Sequence, residues 1–161
     1  NTGYYQNALY RQTTYHNLTF SVGKTLTSCS IDESVAFYVN NYAIPKSKII
    51  VGIPFYGVRQ TRTYTNGSWT SWIKASTPYY HTLISSYIGN ANYTEYYDTG
   101  AQVPYLVKND GTEFISYDNA TSVAAKCQYV LDNEIGGIMY WENGTDNTGT
   151  LLAAMKAALN K

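Results

Sequence analysis

The residues best suited to chemistry in this 161-residue chain are aromatic rather than ionisable. Eighteen tyrosines and three tryptophans are more rings than one domain buries with every hydroxyl satisfied, so some must face water. Flat amphipathic rings among Asn, Gln and Thr suit sugars, whose axial C–H faces stack on a ring while their hydroxyls hydrogen-bond. A composition biased towards tyrosine and asparagine, with no such role, accounts equally for the count. Two rings close apolar runs. Tyr56 ends Lys48-Ile-Ile-Val-Gly-Ile-Pro-Phe-Tyr-Gly57, and Trp141 ends Ile135-Gly-Gly-Ile-Met-Tyr-Trp141.

The ionisable groups are less suggestive. The eleven carboxylates are Asp32, Glu33, Glu95, Asp98, Asp110, Glu113, Asp118, Asp132, Glu134, Glu142 and Asp146, and no two aspartates form an Asp-x-Asp pair. Glu142 follows Trp141 directly, but strand alternation turns it to the opposite face, so it is not expected to donate a proton. Asp118 is expected to cap a helix rather than to react. His16 is expected in a loop, and with only two histidines and no paired cysteines at ligand spacing, neither a metal site nor another cofactor is expected. Cys29 and Cys127 are expected as two free thiols, with a disulfide as the alternative.

Several elements must position these residues. Residues 1–29 are polar and aromatic and predict a long loop. Ser30-Ile-Asp-Glu33 is a capping box, opening a helix to about Tyr42 with Val35, Tyr38, Val39 and Tyr42 on its inner face. Pro45 ends any continuation. The run Ile49–Ile53 predicts a strand buried on both faces, as in a parallel sheet. Residues 58–117 break into short β-like pieces (Arg62–Tyr64, Ser68–Ile73, Tyr93–Tyr97, Gln102–Val107 and Glu113–Tyr117), with Asn-Gly and Asp-Gly turns and a short helix near Tyr79–Tyr87. A second long helix follows Asp118 or Asn119 and runs to about Asn133, with Val123, Cys127, Val130 and Leu131 inward. Then come the strand ending at Trp141 and a last helix, Leu151–Leu159. Two apolar strands alternating with amphipathic helices imply right-handed crossovers in a parallel sheet. Two such strands cannot bury both of their faces.

Composition narrows the class of protein. Lysine plus arginine equals aspartate plus glutamate at 11 each, so nothing draws a polyanion and nucleic acid is not an expected partner. No run approaches the ~18 apolar residues of a membrane helix. Sequons at Asn17, Asn66, Asn92, Asn119 and Asn143 permit a secreted glycoprotein. The chain opens at Asn1 with neither methionine nor a signal peptide, as expected of an excised, processed or incomplete piece.

Four segments together are similar to one family. Lys48–Gly57 resembles the seventh barrel strand of glycoside hydrolase family 18, the chitinase-like hydrolases. Gln102-Val-Pro-Tyr105, Phe114-Ile-Ser-Tyr-Asp118 and the helix Ser122–Val130 resemble the end of that family's small α+β insertion and the helix after it. Gly136-Gly-Ile-Met-Tyr-Trp-Glu142 resembles the eighth strand. The likeness runs from about residue 8 to the end, in order and at family-like spacing.

The resemblance implies an α/β fold: part of a TIM (β/α)8 barrel, residues 1–57 and 118–161, plus an insertion at 58–117. It implies a secreted hydrolase of chitin or other β-1,4-linked N-acetylglucosamine oligosaccharides, in which the substrate's own acetamido oxygen is the nucleophile. The proton donor of that family ends an Asp-x-x-Asp-x-Asp-x-Glu motif, absent here, as is the sixth-strand Met-x-Tyr-Asp. These residues alone are therefore expected to be inactive, with the remainder of the barrel as partner and a lectin-like binding module as the alternative. By resemblance Trp141 floors the subsite of the sugar being cleaved and Tyr56 lines the cleft. Met139 supports the pocket or belongs to the core. Val58 stands where an arginine is common, and Arg59 is the candidate replacement. His81 either touches ligand or lies on a solvated helix. Tyr105, with Trp69, Trp72, Tyr79, Tyr80, Tyr96 and Tyr97, either extends the sugar wall or packs the insertion.

Overall fold

The computed structural model describes residues 3–11, 18–19, 25–26 and 30–160. Two short strands, β1 (Leu18–Thr19) and β2 (Thr25–Leu26), pair antiparallel. Ser30 opens helix α1 (Ile31–Tyr42) as expected: its oxygen accepts the Glu33 N–H at 3.3 Å, and its hydroxyl donates to the Glu33 carboxylate at 2.6 Å. Ala43 ends the helix in the left-handed region (φ 52°). The inner stripe is Ile31, Val35 and Val39. Tyr38 and Tyr42 instead lie exposed, clustering with Phe37 at centroid distances of 5.7–6.2 Å.

A 3-10 turn at Lys46–Lys48 leads into β3 (Ile50–Pro54), which pairs in parallel with β11 (Gly137–Trp141). The register runs from Gly137 opposite Ile50 to Trp141 opposite Pro54. This is the adjacent parallel pair that the apolar runs predict. Burial on both faces is not found: Val51 and Ile53 pack inward, while Ile50, Gly52, Met139 and Trp141 are exposed. Helices cover only one side of the pair, so the alternation of the strand becomes visible. Gly136 enters β11 where a Cβ would lie 2.1 Å from the Ser47 carbonyl oxygen, so only glycine permits the approach.

Between these strands lies an antiparallel sheet. Strand β4 (Val58–Thr61) precedes a hairpin of β5 (Tyr64–Thr65) and β6 (Ser68–Trp69). That hairpin turns through Asn66 and Gly67, both at positive φ (52° and 77°), the geometry an Asn-Gly turn requires. Then follow β7 (Ile73–Ser76), α2 (Tyr80–Ser86), β8 (Tyr93–Asp98), β9 (Val103–Lys108) and β10 (Glu113–Ser116), in the sheet order β7-β4-β10-β9-β8. The expected piece Ser68–Ile73 thus splits between two strands, and Val58 already pairs with Ser116.

Helix α3 (Ala120–Asp132) is capped by Asn119, whose side chain accepts from Ser122 N–H. Val123, Cys127 and Val130 face inward, but Leu131 is exposed and Tyr129 is buried in its place. Helix α4 (Thr150–Leu159) adds Leu151, Met155 and Ala158 to the main core, which also holds Leu83, Leu106 and Ile115 of the insertion.

Residues 3–11 are irregular but firmly held. Tyr4 and Gln60 exchange two hydrogen bonds (2.9 and 2.7 Å), Gln6 N–H donates to Ser116 Oγ (2.8 Å), and Leu9 N–H donates to the Ala101 carbonyl (3.0 Å). The segment is a strap across one face of the sheet.

Candidate sugar-binding cleft

The parallel register brings Tyr56 and Trp141 to the same end of β3 and β11, the C-terminal end. Together with Gln6, Asn7, Gly52, Ile53 and Pro54 they line a cleft of about 340 Å³. Trp141 is 61% exposed, an indole face open to solvent. Its carbonyl accepts the Phe55 N–H at 2.7 Å, which fixes the two strand ends together. Beneath, the rings of Phe55 and Tyr140 stack at 4.6 Å and 15°. The Trp141–Glu142 peptide bond is cis.

The rim continues onto α2. Tyr56 bridges Tyr79, and Gly57 N–H donates to the Pro78 carbonyl at 2.8 Å. The backbone N–H of His81 donates to the Thr145 carbonyl at 3.0 Å, and its Nδ1 lies 3.1 Å from the same oxygen. His81 therefore ties α2 to the loop after Trp141, beside the exposed Tyr79 ring at 5.6 Å. Met139 shares the open strand face with Trp141 and Gly52 instead of lying in the core.

The structure does not bring Arg59 or Tyr105 to this cleft. The Arg59 guanidinium sits 2.5 Å from Glu113, which also accepts from Tyr93 Oη at 2.9 Å. These contacts hold the Glu113 carboxyl below the usual carboxylate range, the bond from Arg59 contributing most and burial opposing it. Tyr105 stacks on Tyr96 (5.2 Å, 16°) and Phe114 (5.2 Å, 23°), with Tyr5 beside it at 5.5 Å. Arg62 lies over the rings of Trp69 and Trp72 at 4.2 and 4.3 Å. Many insertion rings therefore pack against one another.

Among the described residues no carboxylate lines the cleft. Asp118 is fully buried in an ion pair with Lys126, and it also accepts from Ser122 Oγ at 2.6 Å, while the cap of α3 is Asn119. Cys127 is a buried free thiol whose pKa burial raises. Cys29 and His16 lie outside the described residues. Among the described residues no cluster of three or more His, Cys, Asp or Glu is placed to hold a metal, and no helix is long and apolar enough to cross a membrane.

Sequence reasoning missed Gln6 and Asn7. Asn7 adopts φ 55° and donates through Nδ2 to the Gly52 carbonyl at 3.1 Å. Asparagine's tolerance of the left-handed region was the only local signal.

The result is a partly polar cleft with an exposed indole at the C-terminal end of parallel strands, the end at which α/β folds ordinarily hold their ligands. Comparison with known proteins identifies the group. The sequence model of glycosyl hydrolases family 18 matches residues 2–146, and the chain belongs to that family. Chitinase A1 of Niallia circulans is 30% identical over 95% of this chain and 24% of its own length. Chitinase B of Serratia marcescens is 27% identical over 83% of this chain and 32% of its own length, so the chain spans about a quarter to a third of these relatives. The solved family 18 N-acetylglucosaminidase of Paenibacillus barengoltzii superposes with a TM-score of 0.77 at 34% identity, over 98% of this chain and 44% of that one. A class V chitinase of Nicotiana tobaccum solved in complex with NAG4 shares the fold, with a TM-score of 0.70 at 22% identity over 82% of this chain and 40% of that one.

Proposed function

We propose that these residues form one wall and the floor of the substrate cleft of a secreted hydrolase that cleaves β-1,4-linked N-acetylglucosamine polymers, chitin in particular. β3 and β11 are neighbouring staves of a partial (β/α)8 barrel, and residues 58–117 are the insertion that deepens the cleft. The observation that carries this is the opening of Tyr56 and Trp141 on one rim in a chain of family 18. Trp141 floors the subsite of the sugar undergoing cleavage. Its indole face favours a distorted ring that brings the acetamido oxygen to the anomeric carbon, and Tyr56 offers a hydroxyl to the same sugar. With the substrate supplying the nucleophile, a single carboxylic acid is needed to protonate the leaving oxygen. That acid lies outside these 161 residues.

The test is a chitooligosaccharide turnover assay on the intact protein and on the 161 residues alone. The intact protein releases N-acetylglucosamine products and the 161 residues alone release none; turnover by the latter would place a proton donor within them and refute the assignment. A second reading, a lectin-like module that binds such glycans without cleaving them, is favoured by the lack of a carboxylate in the cleft lining among the described residues. Binding without turnover by the intact protein selects it.

A further inference from the structure

We propose that Gln6 contacts substrate directly, its side-chain carbonyl accepting a hydrogen bond from a hydroxyl or amide N–H of the sugar seated beside Trp141. This rests on reading the cleft as an N-acetylglucosamine site and adds a residue to it. Gln6 lines the cleft with Tyr56 and Trp141, yet its Oε1 is buried and accepts no hydrogen bond. A buried amide oxygen without a donor is uncommon in a folded protein, because its lost hydration is not replaced.

The backbone that carries this side chain is held in place from both directions. On its own residue, the Gln6 N–H is fixed on Ser116 Oγ at 2.8 Å. On the next, Asn7 Nδ2 donates to the Gly52 carbonyl at 3.1 Å and lies 3.5 Å from the buried Asp118 carboxylate. Two residues earlier, Tyr4 is clasped by Gln60. The strap therefore fixes the backbone of Gln6 at the cleft wall, and a turn of its side chain brings the unpaired Oε1 out to a bound sugar.

The chemistry of the cleft calls for such a group. An indole face stacks on a sugar but cannot accept its O–H or N–H protons, and among the described residues no carboxylate lines the cleft to do so. An N-acetylglucosamine unit carries donors at each free hydroxyl and at its acetamido nitrogen. The Gln6 carbonyl supplies an acceptor without adding a charge.

Calorimetric titration of the intact protein with the tetramer of N-acetylglucosamine tests this. Gln6→Met keeps side-chain length and removes both polar atoms. The dissociation constant is expected to rise about tenfold, equivalent to about 1.4 kcal/mol, while the unliganded melting temperature holds or rises because an unpaired buried acceptor is gone. A lowered melting temperature with unchanged affinity assigns Oε1 to a protein donor and overturns the proposal. Trp141→Ala, run in parallel, separates the two levels of inference. If it abolishes binding while Gln6→Met does not, the Gln6 contact alone is wrong; if neither substitution matters, the cleft itself is misassigned. Should Gln6→Met fail to fold, the side-chain amide resonance of Gln6 in the wild-type protein gives the answer. It shifts on saturation with the tetramer, and a stationary signal refutes the contact.

Discussion

With three-fifths of its surface in water, the Trp141 ring contributes little burial to this chain, whereas a sugar laid on it would gain a full aromatic face. Trp141→Ala is therefore expected to leave the unfolding temperature of the chain within about 2 °C and to weaken tetramer binding by about tenfold or more. Melts and titrations on one preparation check both halves; a large loss of stability with intact affinity would make the ring part of the core. Lys126 is the opposite case. Both it and Asp118 are 0% exposed, and burial holds the ammonium pKa below the usual lysine range against the pull of Asp118. Lys126→Met leaves the Asp118 charge buried without its counterion, which costs about 3–5 kcal/mol in comparable pairs. Adding Asp118→Asn removes that charge and should recover part of the loss. Urea unfolding measures it, and equal losses in the single and double variants would reject the explanation.

At the level of elements, Gly136 and Gly52 make a contrast within one strand pair. A Cβ on Gly136 meets the Ser47 carbonyl oxygen at 2.1 Å, whereas one on Gly52 finds only the Met139 side chain at 4.0 Å. Gly136→Ala is expected to lower stability by about 1–3 kcal/mol by forcing the backbones apart, and Gly52→Ala to change it little, in paired unfolding curves. Within the antiparallel sheet, Glu113 on β10 ties Arg59 of β4 to Tyr93 of β8. Because its folded pKa lies below the unfolded value, its contribution is full above about pH 5 and is lost as pH falls through the folded value. Glu113→Gln should thus be less stable than wild type at pH 7, with the gap narrowing below about pH 4. A gap independent of pH would remove charge from the account. These elements differ in how far the sequence announces them. Strands β3 and β11 were legible because their apolar runs are bounded by Pro and Gly, and α3 because Asp118 or Asn119 offered a cap ahead of Val123, Cys127 and Val130 at helical spacing; the structure gives the cap to Asn119. The polar residues of β4 gave no strand signal before pairing with β10, and the faces of Tyr38, Tyr42 and Leu131 depend on which neighbours cover each helix. The strap was illegible because its bonds join residues as far apart as Gln6 and Ser116, at a separation of 110 positions, and no local periodicity encodes them.

On the scale of the whole molecule, the cleft and the greatest liability share one surface. β3 and β11 form a two-stranded parallel sheet with no further partner among the described residues. Parallel strands are ordinarily covered on both faces, yet here one face presents Ile50 at 53%, Met139 at 44% and Trp141 at 61% exposure. Unpaired strand edges beside such a face favour pairing with another chain. The 161 residues on their own are therefore expected to self-associate at about 100 μM, a concentration at which exposed apolar edges commonly aggregate, as seen by light scattering behind a sizing column. Ile50→Lys should restore the monomer, since a charged side chain on an edge strand opposes edge pairing. The same substitution lies four residues from Pro54, at the end of β3 opposite the rim, and should leave tetramer binding nearly intact. Trp141→Ala should do the reverse, weakening binding while relieving association only slightly, because it removes one ring and leaves both edges open. If the 161 residues are monomeric at that concentration without any substitution, the exposed face is already satisfied within the chain, and a barrel remainder is not needed to explain it.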